Sequence, residues 1–300
     1  MKFVSFQLNG NQSYGVVTED GNAVWNIPAV ALQAKDLAIP ATLLEGIQQG
    51  EGFFELVETC LAFAKELEET KDILLSIEGM EWLSPITRPM KNIMCVGKNY
   101  RDHAIEMGSE KDIPENVMIF TKSPTSATGH NQTLLLHESI TSQLDYEGEL
   151  AVVIGKKGKG IKEEDALDYV FGYTILNDIT ARDLQKKHKQ FFIGKSLDTS
   201  CPMGPYLVTK DEIEDPQKLN IRTTVNGEIR QDSNTSSMIF PVASVISTLS
   251  QGMTLEPGDI IATGTPAGVG KGFEPPKFLK SGDEIEISID QLGILKNKVK

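Results

Sequence analysis

Arg222-Thr223-Thr224-Val225-Asn226-Gly227-Glu228-Ile229-Arg230-Gln231 is the stretch that decides the fold class. Two runs of strand-forming residues flank Asn-Gly, the pair that most readily accepts positive φ at both centres of a two-residue turn. A hairpin with strands at 221–225 and 228–231 is therefore predicted. The same texture extends outward, with short apolar runs separated by Gly, Pro and Asp. Further strands are expected at 92–97, 117–122, 149–154, 170–177, 204–209, 259–263 and 284–289. Helical patterns are scarcer, at about 163–168, 180–189 and 241–251, the last opened by Pro241 and stopped by Gly252. Many short strands with few helices predict a β-rich sandwich or roll within a mixed α+β chain, not a βαβ fold.

The first 85 residues read differently. Residues 2–8 and 13–18 alternate like short strands around the turn Asn9-Gly10-Asn11, and helices are expected at 41–48 and 52–69. In the second helix Phe53, Leu56, Val57, Cys60, Phe63, Ala64 and Leu67 form one apolar face, and the glutamates opposite read as a solvated face. Residues 83–91 hold two prolines and little periodicity, so they are read as a linker. The expected division is a small N-terminal α+β domain over 1–85 and a larger β-rich domain over 90–300.

The 300 residues are 40% hydrophobic and 24% charged, enough for a core without staples. A formal net charge of −13 argues against nucleic acid and against an anionic membrane surface. A small anionic substrate would then need local positive charge from a metal or from placed Lys and Arg side chains. Cys60, Cys95 and Cys201 are widely separated and read as reduced, isolated thiols. With no signal-like N-terminus and no apolar run near the ~20 residues that span a bilayer, a cytoplasmic protein is expected.

Asp145-Tyr146-Glu147-Gly148-Glu149 enters the apolar run Leu150–Ile154. On a strand, Glu147 and Glu149 point to the same side, and burying two such carboxylates together is costly unless a cation lies between them. Asp178 ends another apolar run and offers a third oxygen. Three carboxylates without Cys or His suit Mg²⁺ or Mn²⁺ rather than Zn²⁺. On this segment alone, a strand with two surface glutamates is an equal alternative. His103 and Glu106, three apart, share one face of a helical turn, the spacing of a general base held by a carboxylate. Gly108 and the polar residues 109–116 suggest a lid over that pair. His130, His137 and the Lys186-Lys187-His188-Lys189 run read as structural or solvated, and Lys195 alone would pass as an exposed lysine. Gly264–Gly272 fails the phosphate-loop pattern, though its amides could receive a substrate oxygen.

Six segments in order carry a resemblance: GKNYRDHAIEM at 97–107, LDYEGELAVVIG at 144–155, GYTILNDITARDLQ at 172–185, GKSLDTSCPMGP at 194–205, GDIIATGTPAGVG at 258–270 and GDEIEISIDQLGILKN at 282–297. Together they resemble the fumarylacetoacetate hydrolase family, and residues 1–85 look like the additional N-terminal domain of some bacterial members. The resemblance implies a β-sandwich roll, usually a homodimer, binding Mg²⁺ or Mn²⁺ through Glu147, Glu149 and Asp178. It makes His103 and Glu106 the catalytic dyad, with Lys195 stabilising an enolate. It sets Gln185, Thr265, Tyr100 and Arg182 against substrate. The implied reaction cleaves the C3–C4 bond of a small 2-oxo acid, with oxaloacetate decarboxylation favoured. Acylpyruvate or fumarylpyruvate hydrolysis and a meta-cleavage decarboxylase or isomerase are the alternatives. A non-enzymatic scaffolding role through residues 1–85 is the contrasting expectation.

Overall fold

A computed structural model describes residues 1–34, 37–71 and 73–300. The hairpin forms as its turn chemistry demands. Val225 pairs with Glu228, and Asn226 and Gly227 hold φ of 52° and 78°. The N-terminal turn repeats this solution: Asn9 and Gly10 have φ of 51° and 79°, and Leu8 pairs with Asn11. That turn is one residue tighter than expected, because Asn11 already belongs to the second strand.

Twelve strands among the described residues join one sheet. Its path runs through Leu74–Ser76, Ala23–Asn26, Asn11–Val17, Lys2–Leu8, Cys201–Thr209, Val170–Asn177, Gly148–Ile154, Ile260–Ala262, Ile93–Gly97 and Met118–Lys122. A five-stranded sheet of Glu228–Asn234, Asn220–Val225, Glu284–Ile289, Gly293–Val299 and Thr133–Leu134 packs on it. The contact is closest at Gly148, where an added Cβ would collide with Thr223 Oγ1 and crowd Ile287. A side chain there would force the two layers apart.

The Pro-rich segment 83–91 does not interrupt the sheet. Lys2–Leu8 pairs with both Cys201–Thr209 and Glu81–Leu83. One apolar cluster contains Phe3, Phe53 and Val57 together with Ala151, Phe171 and Ile260. The division at 85–90 therefore stands as a proposal about folding units, with sheet and core crossing it. The two central strands Gly148–Ile154 and Val170–Asn177 are buried along their whole length. They act as a rigid base whose ends carry the acidic residues of the site.

Candidate active site

Glu147 and Glu149 flank the start of the strand Gly148–Ile154, and Asp178 follows the end of its antiparallel neighbour, whose Asn177 pairs with Gly148. That register brings the three carboxylates together. One oxygen from each lies within 4.8 Å of the others, and all three residues are buried. Cations surround two of them. Lys195 Nζ donates to Glu147 Oε2 at 2.8 Å and to Asp178 Oδ2 at 2.6 Å. Lys122 Nζ donates to Asp178 Oδ1 at 2.6 Å. Arg182 bridges Glu147 Oε1 at 2.7 Å and Asp145 Oδ2 at 2.8 Å.

Four carboxylates thus face three cations in this buried cluster, leaving one negative charge uncompensated. Among the described residues Glu149 is the group without a cationic partner, since the contact its carboxylate makes is with the Gly264 N–H at 2.7 Å. Burial, then the charges of Asp178 and Glu147, raise its pKa well above the carboxylate range. Glu147 moves the other way: burial opposes ionisation, but Lys195, Arg182 and His103 outweigh it and hold the carboxyl low. A divalent cation among Glu147, Glu149 and Asp178 would cancel the excess charge, and three hard oxygens are the donor set that Mg²⁺ or Mn²⁺ prefers. The residues fit such an ion.

His103 lies on the short helix Arg101–Glu106, with Nδ1 3.2 Å from Glu106 Oε2. Assigning the Nδ1 proton to that contact leaves Nε2 with its lone pair. Glu106 is itself anchored by the Gly268 N–H on Oε1 at 2.9 Å. A Cβ on Gly272 would strike the same carboxylate, so the Gly-rich loop can close over the dyad only with glycine at that position. The residues after Gly108 form a short turn, tied back by Lys98 to Asp112 at 3.3 Å and Arg101 to Glu110 at 3.2 Å.

Four amides of the Gly-rich loop have a different role from the expected one. Gly264 donates to Glu149, Gly268 to Glu106, and Gly270 and Lys271 to Asp145. They orient the protein's own carboxylates and are not free to receive a substrate oxygen. Gln231, midway along the hairpin strand Glu228–Asn234, locks this arrangement. Its amide accepts from Gly148 N and donates to Thr265 Oγ1 and Pro266 O.

A cavity of about 350 Å³ opens beside these groups, lined by His103, Glu147, Glu149, Arg182, Gln185, Lys195 and Thr265 among others. Seven of the ten expected site residues therefore share one cavity wall. Glu106 stands behind His103, and Asp178 lies behind Lys195 with both oxygens engaged. Tyr100 is not on this wall. It is 2% exposed within the apolar core, and its hydroxyl has no hydrogen-bond partner. Its ring faces inward because Tyr100 bridges to Met238 as the chain enters the helix. Lys122, Asp145 and Gln231 are not among the expected site residues, because each acts through partners distant along the chain.

A dyad, three clustered carboxylates and a buried lysine on a two-layered roll make up an enzyme-type site. A family model described as fumarylacetoacetate (FAA) hydrolase C-terminal matches residues 92–300, and the chain belongs to that family. It is 55% identical, over all of both chains, to "Oxaloacetate tautomerase YisK" of Bacillus subtilis (strain 168). Among solved structures it resembles a fumarylacetoacetate hydrolase from psychrophilic Exiguobacterium antarcticum, with TM-score 0.83 and 41% identity, covering 100% of this chain and 99% of that one. A 2-hydroxyhepta-2,4-diene-1,7-dioate isomerase from Mycobacterium marinum gives TM-score 0.72 and 30% identity, covering 100% and 98%. Isomerases and hydrolases thus share this architecture.

Proposed function

We propose that this chain is a Mg²⁺- or Mn²⁺-dependent enzyme that forms and protonates the C2–C3 enolate of oxaloacetate, interconverting its enol and keto forms. The observation that carries the reading is one cavity lined by Glu147 and Glu149 of the acidic trio and by His103, with Asp178 and Glu106 held directly behind that wall. The name of the Bacillus subtilis relative supports oxaloacetate as the substrate and tautomerisation as the reaction.

Glu147, Glu149 and Asp178 would hold the ion, which when bound draws electron density from a 2-oxo acid and lowers the acidity barrier at C3. Arg182, Gln185 and Thr265 line the cavity and would orient the carboxylate and oxo oxygens. His103 takes or returns the C3 proton through Nε2, while Glu106 fixes the ring and stabilises the imidazolium. Lys195 remains a cation: burial opposes its charge, but Asp178 and Glu147 hold its pKa above the ordinary lysine value. It therefore serves as a fixed donor toward the enolate oxygen and not as a base.

Decarboxylation, the reaction favoured by the sequence reading, is the second candidate because C3–C4 cleavage with loss of CO₂ also leaves a 2-oxo acid enolate, that of pyruvate, for the same groups to stabilise and protonate. Hydrolysis of acylpyruvates would in addition need a water placed by His103 against the C4 carbonyl. The test is a side-by-side assay with Mg²⁺ and with Mn²⁺: enol-to-keto conversion of oxaloacetate, its loss of CO₂, and cleavage of acetylpyruvate. Tautomerisation above the metal-only rate is expected to dominate. A rate at background for tautomerisation, with either of the others fast, overturns the assignment.

A homodimer in the cytoplasm completes the proposal. No helix among the described residues is long and apolar enough to cross a membrane. Met118 and Ile119 on the edge strand, with Phe192 and Ile193 beside it, leave apolar surface exposed. Sedimentation at the monomer mass would remove the dimer from this account.

A further inference from the structure

Six cations line the cavity: Lys98, Arg182, Lys186, Lys189, Lys195 and Lys271. Arg182 and Lys195 are bound to carboxylates, and Lys98 leans on Asp112. The ammonium groups of Lys186, Lys189 and Lys271 make no ion pair among the described residues. Arg182, although 3% exposed, keeps its Nη2 without a partner. The arrangement is built. Arg182, Gln185, Lys186 and Lys189 are spaced i, i+3, i+4, i+7 along and just past the helix Arg182–His188, so one helical face turns toward the cavity. Lys98 and Lys189 both hold positive φ, 53° and 60°, a conformation that non-glycine residues seldom adopt and that surrounding structure must enforce. Lys271 is fixed from behind by its own N–H on Asp145. Partial burial, then the like charge of Arg182, and further off Lys186 and Lys98, depress its pKa, with Asp145 opposing. An anion among these lysines would relieve that crowding. In a chain of net charge −13, a cluster of unpaired cations on one wall is a selective feature.

We propose that Lys186, Lys189 and Lys271 form a second anion subsite at the cavity mouth, which receives the distal carboxylate of a four-carbon 2-oxo diacid. This rests on the functional reading above and deepens it. The acidic trio and dyad act on the C1–C3 end, and the lysines select substrates carrying a second negative charge. A 2-oxo acid with an uncharged tail fills the reactive end and gains nothing at the mouth, so the subsite separates oxaloacetate from acylpyruvates by charge.

The experiment uses the full chain with Mn²⁺ and three probes: oxalate, which fills only the reactive end; 2-oxobutyrate, which is oxaloacetate with a methyl in place of the distal carboxylate; and oxaloacetate. Binding is read by calorimetry for oxalate and 2-oxobutyrate, and KM with kcat for oxaloacetate. In K186Q and K271Q, KM for oxaloacetate is expected to rise about fivefold each, the scale of a partly exposed charge contact. Oxalate and 2-oxobutyrate affinity should change less than twofold, and kcat should hold. K271R is expected to restore KM, and the wild-type KM should climb with ionic strength more steeply than that of either variant. Equal weakening of all three probes, or an unchanged KM in both variants, overturns the subsite. A wild-type protein that binds no oxalate refutes the functional reading itself, which is a distinct result.

Discussion

Replacing Lys122 with Met removes one charge from a fully buried position while keeping the length of the side chain. Lys122 Nζ donates to Asp178 Oδ1 at 2.6 Å and to the Ile179 carbonyl at 3.0 Å, and the residue is 0% exposed. After K122M, Asp178 keeps Lys195 on its other oxygen but loses its partner on Oδ1, and the buried cluster gains one further uncompensated negative charge. Breaking one side of a buried pair costs about 3–5 kcal/mol, and the surviving Lys195 contact sets the value near the lower bound. At roughly 2–4 °C per kcal/mol for a chain of this size, the midpoint should fall by about 6–12 °C in chelator. Adding Mn²⁺ should recover much of that loss, because the ion supplies the missing charge. The control is K98M, whose pair with Asp112 is partly exposed and should cost far less than the buried one. Urea unfolding and thermal melts measure both. A K122M loss no larger than the K98M loss would refute the view that Lys122 balances the buried acids.

Other consequences follow from the same cluster. The raised pKa of Glu149 means that the folded, metal-free protein holds a proton more tightly than the unfolded chain does. Its stabilising contribution is thus present at low pH and lost as pH rises through the elevated value. Metal uptake must displace that proton, so Mn²⁺ affinity should rise with pH over the same interval, with about one proton released per ion in calorimetry across buffers of different ionisation enthalpy. Constant affinity across that interval would contradict the reading. Gln231→Leu strands the Gly148 N–H and loosens Thr265, so it should cost about 2–4 kcal/mol in urea unfolding. His103→Asn should lower enol–keto turnover by roughly 10²–10⁴-fold and leave Mn²⁺ affinity unchanged. Parallel loss of metal would show that His103 belongs to the ion site instead.

The legible parts of this protein were those set by neighbours in the sequence. Asn226-Gly227 forces its hairpin because only local φ values are at stake, and Glu147 and Glu149, two apart at the start of one strand, meet as their spacing implies. The strand Gly293–Val299 escaped notice because Ile294 points outward and Asn297 inward, which blurs its apolar alternation. The joining of Lys2–Leu8 to Cys201–Thr209 depends on partners about 200 residues apart, beyond any local pattern. Lys122 and Gln231 were invisible for the same reason, since Lys122 meets Asp178 56 positions on and Gln231 meets Gly148 83 positions back. The face formed by Arg182, Gln185, Lys186 and Lys189 was readable from spacing alone. Its lysines nevertheless read as solvated, while Arg182 and Gln185 are expected against substrate, because the cavity that the face borders is made by other segments. For the site, residue types and order pointed to the trio and the dyad, while the balance of charge needed coordinates.

Titration of Mn²⁺ into chelator-treated protein, followed by the loss of free-ion paramagnetic signal, bears most directly on the whole picture. One ion per chain is expected, with binding abolished or strongly weakened in Glu147→Gln, Glu149→Gln and Asp178→Asn. Retention of one tightly held ion in all three variants, or no uptake by the unaltered protein, would contradict it.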